Sequence, residues 1–433
     1  MRPGGLHRRP LAQVRCQQDF KSMPLLQWLP TLVVAAALAS PANAGSLTFA
    51  QALDRAVAGA PSLQAAALQT EAARASARAA GALPDPKLNL GVEGFPISGP
   101  NAGHPSRDDF SDVRVGIMQD VPNKGRRRAA VAGATAAISQ AEAAQLVELR
   151  KVTVATALAW IDLAYAERRL AAIDQVLTSL RPLWEAQPAA VTAGRQRPAQ
   201  ALSPIQTRAT LEDKRTEQVA SLARARAELT RWTGEAAPSV VGAPPDYPID
   251  ASRLRAALET NPTLLAFRSA ASRADAEVGA ARAAERPDWG WEVAYQRRDP
   301  RFGDMLSAGL TVSLPLFAST RQEPLLAARR ADASRVHADR ENARRGLAAQ
   351  FDSDLADHDM HHDQWMRTIG TVVPAAQQRA DLETASYAAG TADLAEVLDA
   401  MTALADAKLT ALERQAIVVR DGARIVLTYG SDQ

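Results

Sequence analysis

Val113-Arg-Val-Gly-Ile-Met-Gln-Asp-Val-Pro122 returns about 200 residues later as Leu306-Ser-Ala-Gly-Leu-Thr-Val-Ser-Leu-Pro315. In both copies apolar side chains take every second position and a proline closes the run, the period of a strand with two unlike faces. Working outward, each copy has a partner upstream. Lys87 to Phe95 sets Leu88, Leu90 and Val92 against Lys87, Asn89 and Glu93, and Trp289, Trp291, Val293 and Tyr295 alternate with Gly290, Glu292, Ala294 and Gln296. The echo extends further: Ala52-Leu53-Asp54 to Pro61-Ser62-Leu63 matches Ala257-Leu258-Glu259 to Pro262-Thr263-Leu264, and Leu83-Pro84-Asp85-Pro86 matches Glu285-Arg286-Pro287-Asp288. Thr192-Ala193-Gly194 matches Ala388-Ala389-Gly390. The chain is therefore an internal duplication. Each half reads as short helix, helix, strand, strand, long helix, glycine break, long helix.

Nine-residue alternation fits a tilted strand of a membrane barrel, with Trp289, Trp291 and Tyr295 suited to a lipid interface. A single such run fits a half-buried soluble strand equally well; four at repeated positions favour the membrane. Four strands cannot close a barrel, since small ones need about eight, and open edges are not tolerated in lipid. The barrel reading thus requires several copies, and three would supply twelve strands. The loops near 96–111 and 298–305 carry the Gly, Pro, Asn and Asp expected of external turns.

The rest reads as long helix rich in Ala, Glu, Arg, Leu and Gln. Some 60 residues of helix reach roughly 90 Å, beyond any ordinary globular element. Alanine permits close approach of helices but little core area, which suits a thin-walled tube of paired helices. Pro182 and Pro188 in the first hairpin, and Gly370 and Pro374 in the second, mark expected kinks or breaks. The Pro-rich stretch from Ala236 to Pro248 joins the repeats.

The amino terminus reads as an export signal over residues 1–44: basic Arg2, Arg8, Arg9, Arg15 and Lys21, an apolar run from Leu29 to Ala39, and the small-x-small site Ala42-Asn43-Ala44. Met23 is an alternative start. No cysteine stands at the cleavage point, so a lipid anchor has no acceptor, and Cys16 leaves with the signal. Loss of five basic residues and one acidic residue leaves 45 against 47, a formal charge of −2 where the whole chain has +2. No basic patch for nucleic acid is present. Nor is there a nucleophile elbow, phosphate loop or paired acid–base motif, so no enzyme is expected.

The repeat, the strand pairs and the segment Tyr387-Ala-Ala-Gly-Thr-Ala-Asp-Leu-Ala-Glu-Val-Leu-Asp-Ala400, with the final Tyr429-Gly430, resemble the TolC family of outer membrane efflux channels over about residues 47–430. The resemblance implies a mainly α protein with a membrane β-barrel: a homotrimer whose twelve-stranded barrel continues into an α-helical tunnel. It implies one repeat over 45–240 (strands about 87–95 and 113–121, hairpin 126–233) and another over 241–433 (strands about 289–297 and 306–314, hairpin 318–430). It also implies no cofactor, and as partners outer membrane lipid, a periplasmic adaptor and an inner membrane pump of the RND type. Leu83-Pro-Asp-Pro-Lys87 and Gly116-Ile-Met-Gln-Asp-Val-Pro-Asn-Lys-Gly125, followed by Arg126-Arg127-Arg128, resemble the heavy-metal branch, with drug or organic-solute efflux as the alternative. A periplasmic coiled-coil adaptor is the competing class, although adaptors carry one hairpin where this chain has two. The basic run also reads as side chains snorkelling at the membrane interface.

Carried residue by residue, the resemblance places a periplasmic gate at Glu396 and Asp399, three apart on one helix face. Threefold symmetry would then gather six carboxylates, a ring that favours cations. The bland alternative is a solvated helix face. Tyr387 matches the tyrosine that holds the tip closed; its partner position holds Gln200 rather than aspartate, and the tip arginine position holds Ala392, which implies a weaker lock. Gly194 and Gly390 are the tip glycines. In Asp357-His-Asp-Met-His-His-Asp363, His358 and His362 stand at i and i+4 near Asp354 and Asp359, a spacing able to hold Zn or Cu. A solvated polar face is the favoured reading there, because a conduit gains little from a tight site.

Overall fold

The computed structural model describes residues 45–192 and 202–430, without the side chains of 186–192. The export signal, Gly194 and Gln200 lie outside the described residues. Strand β1 (Ser46–Leu47) leads into α1 (Phe49–Gly59) and α2 (Pro61–Ala79). Thr48 starts α1 through a capping box: its hydroxyl accepts from Gln51 N, and Gln51 Oε1 accepts from Thr48 N. Strands β2 (Lys87–Glu93) and β3 (Asp112–Val121) then form a hairpin, followed by α3 (Lys124–Thr192) and α4 (Leu202–Thr233). After β4 (Ser239–Val240), which pairs in parallel with β1, the series repeats: α5 (Ala251–Ala257), α6 (Pro262–Ala283), β5 (Trp289–Arg297), β6 (Met305–Val312), α7 (Gln322–Arg367), α8 (Val373–Ala388) and α9 (Leu394–Tyr429). Both α2 and α6 begin on proline, Pro61 and Pro262, where the missing N–H costs no helical bond. No described helix is long and apolar enough to cross a membrane.

The long strands make one antiparallel sheet in the order β2-β3-β5-β6, leaving β2 and β6 as edges. Its register sorts the side chains as the alternation predicts. Leu90, Val115, Tyr295 and Leu306 stand opposite one another on one face, as do Leu88, Ile117, Val293 and Ala308. These residues are exposed, forming an apolar outer surface of the kind a bilayer covers. The other face is polar: Arg114 donates to Glu93 (2.8 Å) and Glu292 (3.0 Å), and Lys87 to Asp120 (2.7 Å). Leu310 lies opposite Trp291 on the apolar face, while Thr311 lies opposite Gly290 on the polar one.

Below the sheet the helices pack in a layer, α3 touching α2, α4, α6 and α9. With 69 residues, α3 runs for about 100 Å. The expected interruption at Pro182 and Pro188 is absent, because the helix continues through both. Proline inside a helix costs about 3 kcal/mol. Ile173 and Leu180, in the turns leading up to Pro182, are buried against Leu211 of α4 and Leu394, Val397 and Leu398 of α9, and this packing offsets the cost. In the second hairpin the break does occur: Thr368–Val372 form a π-turn between α7 and α8. Pro374 has no N–H to return to Gly370, so the α-ladder lapses. Arg414 reaches across from α9 to the carbonyl of Gln364 (3.1 Å) and Thr368 Oγ1 (2.5 Å).

Candidate functional site

The tip of the second hairpin is built around Gly390. Its φ of +75° is left-handed, open to glycine at no steric cost. Thr391 and Ala392 donate back to the Ser386 carbonyl at 2.9 and 3.3 Å, closing the end of α8. Asp393 then caps α9. Its carboxylate accepts from Leu394 N (2.7 Å), and Glu396 Oε2 accepts from Asp393 N (3.0 Å). The spacing Asp393-x-x-Glu396 is a capping box that was readable from the sequence and was not read there.

Beyond the cap, α9 has two faces. Leu394, Val397, Leu398 and Ala400 are buried, while Glu396 and Asp399 are exposed. The structure thus brings the two expected gate carboxylates onto one open face, and gives Glu396 a second task as the cap's return arm. Tyr387 is partly exposed, one turn before Gly390. Among the described residues Asp399 makes no ion pair.

Farther from the tip lies a cluster that sequence reading missed. Asp354 of α7 is 3% exposed and Tyr429 of α9 is 2% exposed. Asp354 Oδ2 accepts from the Tyr429 hydroxyl (2.7 Å), while Oδ1 accepts from Arg424 (2.7 Å) and Gln350 (2.9 Å). Burial alone would raise the Asp354 pKa, but the hydrogen bonds from Tyr429, Arg424 and Gln350 outweigh it and hold the carboxyl below its ordinary value. Burial and Asp354 together push the Tyr429 hydroxyl far above its own. Arg424 reaches Asp421 at 3.4 Å, and His361 Nδ1 lies 2.8 Å from Asp421 Oδ2. The signal available was Tyr429-Gly430 ending a helix that also carries Asp421 and Arg424; its partner Asp354 is too distant in sequence to be paired by inspection.

The histidine stretch divides in space. His361 turns to Asp421, while the rings of His358 and His362 stand 6.3 Å apart. His358 Nδ1 is buried without a partner among the described residues, and burial lowers its pKa. Among the described residues no group of three or more His, Cys, Asp or Glu side chains converges as a metal site.

The strand-to-helix junction explains the motif that suggested a branch. Asn123 N and Nδ2 both donate to Asp288 Oδ1 (2.8 and 2.9 Å), Nδ2 also to the Ala283 carbonyl (2.9 Å), and Arg126 pairs with Asp288. These residues rivet the first repeat to the second.

The family model for outer membrane efflux proteins matches residues 52–235 and 254–430. The chain belongs to this family. It is an outer membrane efflux channel, not an enzyme, and the adaptor alternative is set aside. The cobalt-zinc-cadmium resistance protein CzcC of Cupriavidus metallidurans is 26% identical over 381 residues, covering 84% of this chain and 86% of that one. Among solved structures, a membrane protein from Pseudomonas aeruginosa superposes with a TM-score of 0.78 at 18% identity, covering 88% of this chain and 90% of that one. The channel-forming protein CusC superposes at 0.76 and 17%, covering 88% and 92%. The two superpositions establish the shared fold, in which the sheet belongs to a barrel and the helices to a tunnel.

Proposed function

We propose that this efflux channel is the passive exit duct of a tripartite system that expels heavy-metal cations. It works with a periplasmic adaptor and an inner membrane pump of the RND type, and residues 1–44 direct its export. Three copies join β6 of one to β2 of the next, which leaves no open edge in lipid. Kinship with CzcC supports the metal substrate. The observation that carries the reading is the exposed pair Glu396 and Asp399 on α9, opposite the buried Val397 and Leu398. Around a threefold axis the six carboxylates concentrate cations and repel anions. Gly390 turns the tip of the second hairpin; by the family pattern Gly194 is its counterpart in the first, and Tyr387 belongs to a tip lock weakened by glutamine, Gln200, at the aspartate position.

Glu396→Gln combined with Asp399→Asn removes the charge while leaving an acceptor for the cap. In planar bilayers the double variant should lose cation preference and divalent block while assembling normally. Wild-type selectivity in that variant would remove these residues from the constriction. In cells lacking the native gene, the wild-type channel should restore resistance to Zn, Co or Cd. Restored drug resistance alone would transfer the substrate to organic solutes.

A further inference from the structure

Three cations at the foot of the barrel are left without work by the channel reading. Within the basic run, Arg126 turns to Asp288. Lys124, Arg127 and Arg128, at i, i+3 and i+4, share another face of α3. Together with Gly81, Val131 and Ala132 they line an open groove of about 440 Å³. Arg127 is oriented there by its Nε, which donates to the Gly81 carbonyl at 2.8 Å. Gly81, at φ +77°, is pressed so close that a Cβ would stand 2.7 Å from Val131 Cγ2. Among the described residues none of the three cations meets a carboxylate, although neighbouring cations do: Lys87 pairs with Asp120 and Arg126 with Asp288.

The height of the groove is fixed by the sheet. Val121, three residues before Lys124, stands opposite Trp289, and Gln119 opposite Trp291. Both tryptophans are exposed on the apolar face. Such rings settle at the level of lipid headgroups, so the cations sit just past that belt. Their side of the wall is also fixed. Lys124 and Trp160 are separated by about ten turns of α3 and so share a face. Trp160 donates its indole N–H to Leu47 of the β1–β4 layer (3.0 Å), which has to lie outside a tube that must stay open.

We propose that Lys124, Arg127 and Arg128 bind the phosphate of an acidic phospholipid of the surrounding membrane, its chains rising past Leu83 toward the barrel. Charge complementarity selects the headgroup, and exposed apolar Leu83, beside Pro84 whose carbonyl accepts from Gln119 of β3, meets the chains on the barrel side of the cations. The second repeat has no equivalent, because Leu316, Phe317 and Ala318 take the positions of Asn123, Lys124 and Gly125. Each subunit therefore holds one such site.

The full-length channel can be extracted from vesicles holding equal amounts of phosphatidylglycerol and phosphatidylcholine, and the retained lipid weighed against protein. Wild type should retain mainly phosphatidylglycerol, and Lys124→Gln/Arg127→Gln/Arg128→Gln should return retention to the bulk ratio. Should that variant fail to assemble, Arg128→Gln alone, which breaks no ion pair among the described residues, should weaken the preference about fivefold. Arg344→Gln/Arg345→Gln on α7 should change nothing. Bulk-ratio retention by wild type, undiminished preference in Arg128→Gln, or equal loss in the α7 control would overturn the site. Full displacement by millimolar inorganic phosphate would also overturn it, by making free phosphate the ligand.

Discussion

The two hairpins share one architecture and fill it with opposite chemistry. In the first, the middle of α3 is sealed by Trp160, Ile161, Leu163 and Tyr165 against Leu47, Ala52 and Leu229. The Trp160 indole N–H there donates to the Leu47 carbonyl. At the matching height of the second, α7 and α9 are joined by Asp354, Arg424 and Tyr429 beside Phe351. An apolar seal holds regardless of pH and tolerates approximate fit. A buried ion pair holds only while each charge keeps its partner, and losing one leaves the other stranded. The duplicated frame thus joins one half through an apolar seal and the other through a buried ion pair that acid can break.

The largest effects should come from cutting each core. Trp160→Ala and Asp354→Ala should each cost about 3–5 kcal/mol in urea unfolding at neutral pH. What separates them is acid. Asp354 has a folded pKa below the ordinary 3.8, so its contribution is complete above that value and drains away as pH falls through the lower folded one. The deficit of Asp354→Ala relative to wild type should therefore shrink below about pH 4, while that of Trp160→Ala should stay constant. A parallel pH profile for the two variants would break the comparison.

In the sheet the repeats should behave alike. Ile117 and Leu310 occupy matching positions on the apolar face. Ile117→Arg and Leu310→Arg should each cost roughly 2–4 kcal/mol of insertion stability near the midplane, whereas Thr311→Arg on the polar face should be tolerated. Heat-resistant assembly on gels reads this directly. Equal damage at 310 and 311 would show that the faces are misassigned.

The smallest effect is expected at the histidines. His358→Ala/His362→Ala should leave Zn, Co, Cd and Cu resistance within error of wild type, since no third ligand approaches them among the described residues. A metal-specific loss of resistance at unchanged channel levels would restore the binding reading.

Much of this was legible because it is periodic or duplicated. The strands β3 and β6 were read from alternation and an echo, and they lie within a residue or two of their expected bounds. A break at Gly370 and Pro374 was legible, though not its form as a π-turn. The continuity at Pro182 was not legible, because it depends on Leu211 and Leu394, residues of two other helices. At the tip, the exposed pair Glu396 and Asp399 could be seen as a spacing of three. The cluster around Asp354 could not, because its members come together only when α7 and α9 pair, some 70 positions apart.

The π-turn has a consequence of phase. One additional residue in a single turn advances everything beyond it by about 100° around the axis. Before it, α7 presents Phe351 and Asp354 to one end of α9; after it, α8 presents Ala380 to Ala400 and Leu404. A straight neighbour is thus met by two segments that need not be in step with each other. A one-residue insertion or deletion, ruinous elsewhere in so long a rod, can be stored at Thr368–Val372. The joint at Tyr429 before it and Tyr387 beyond it would then both keep their bearings on α9.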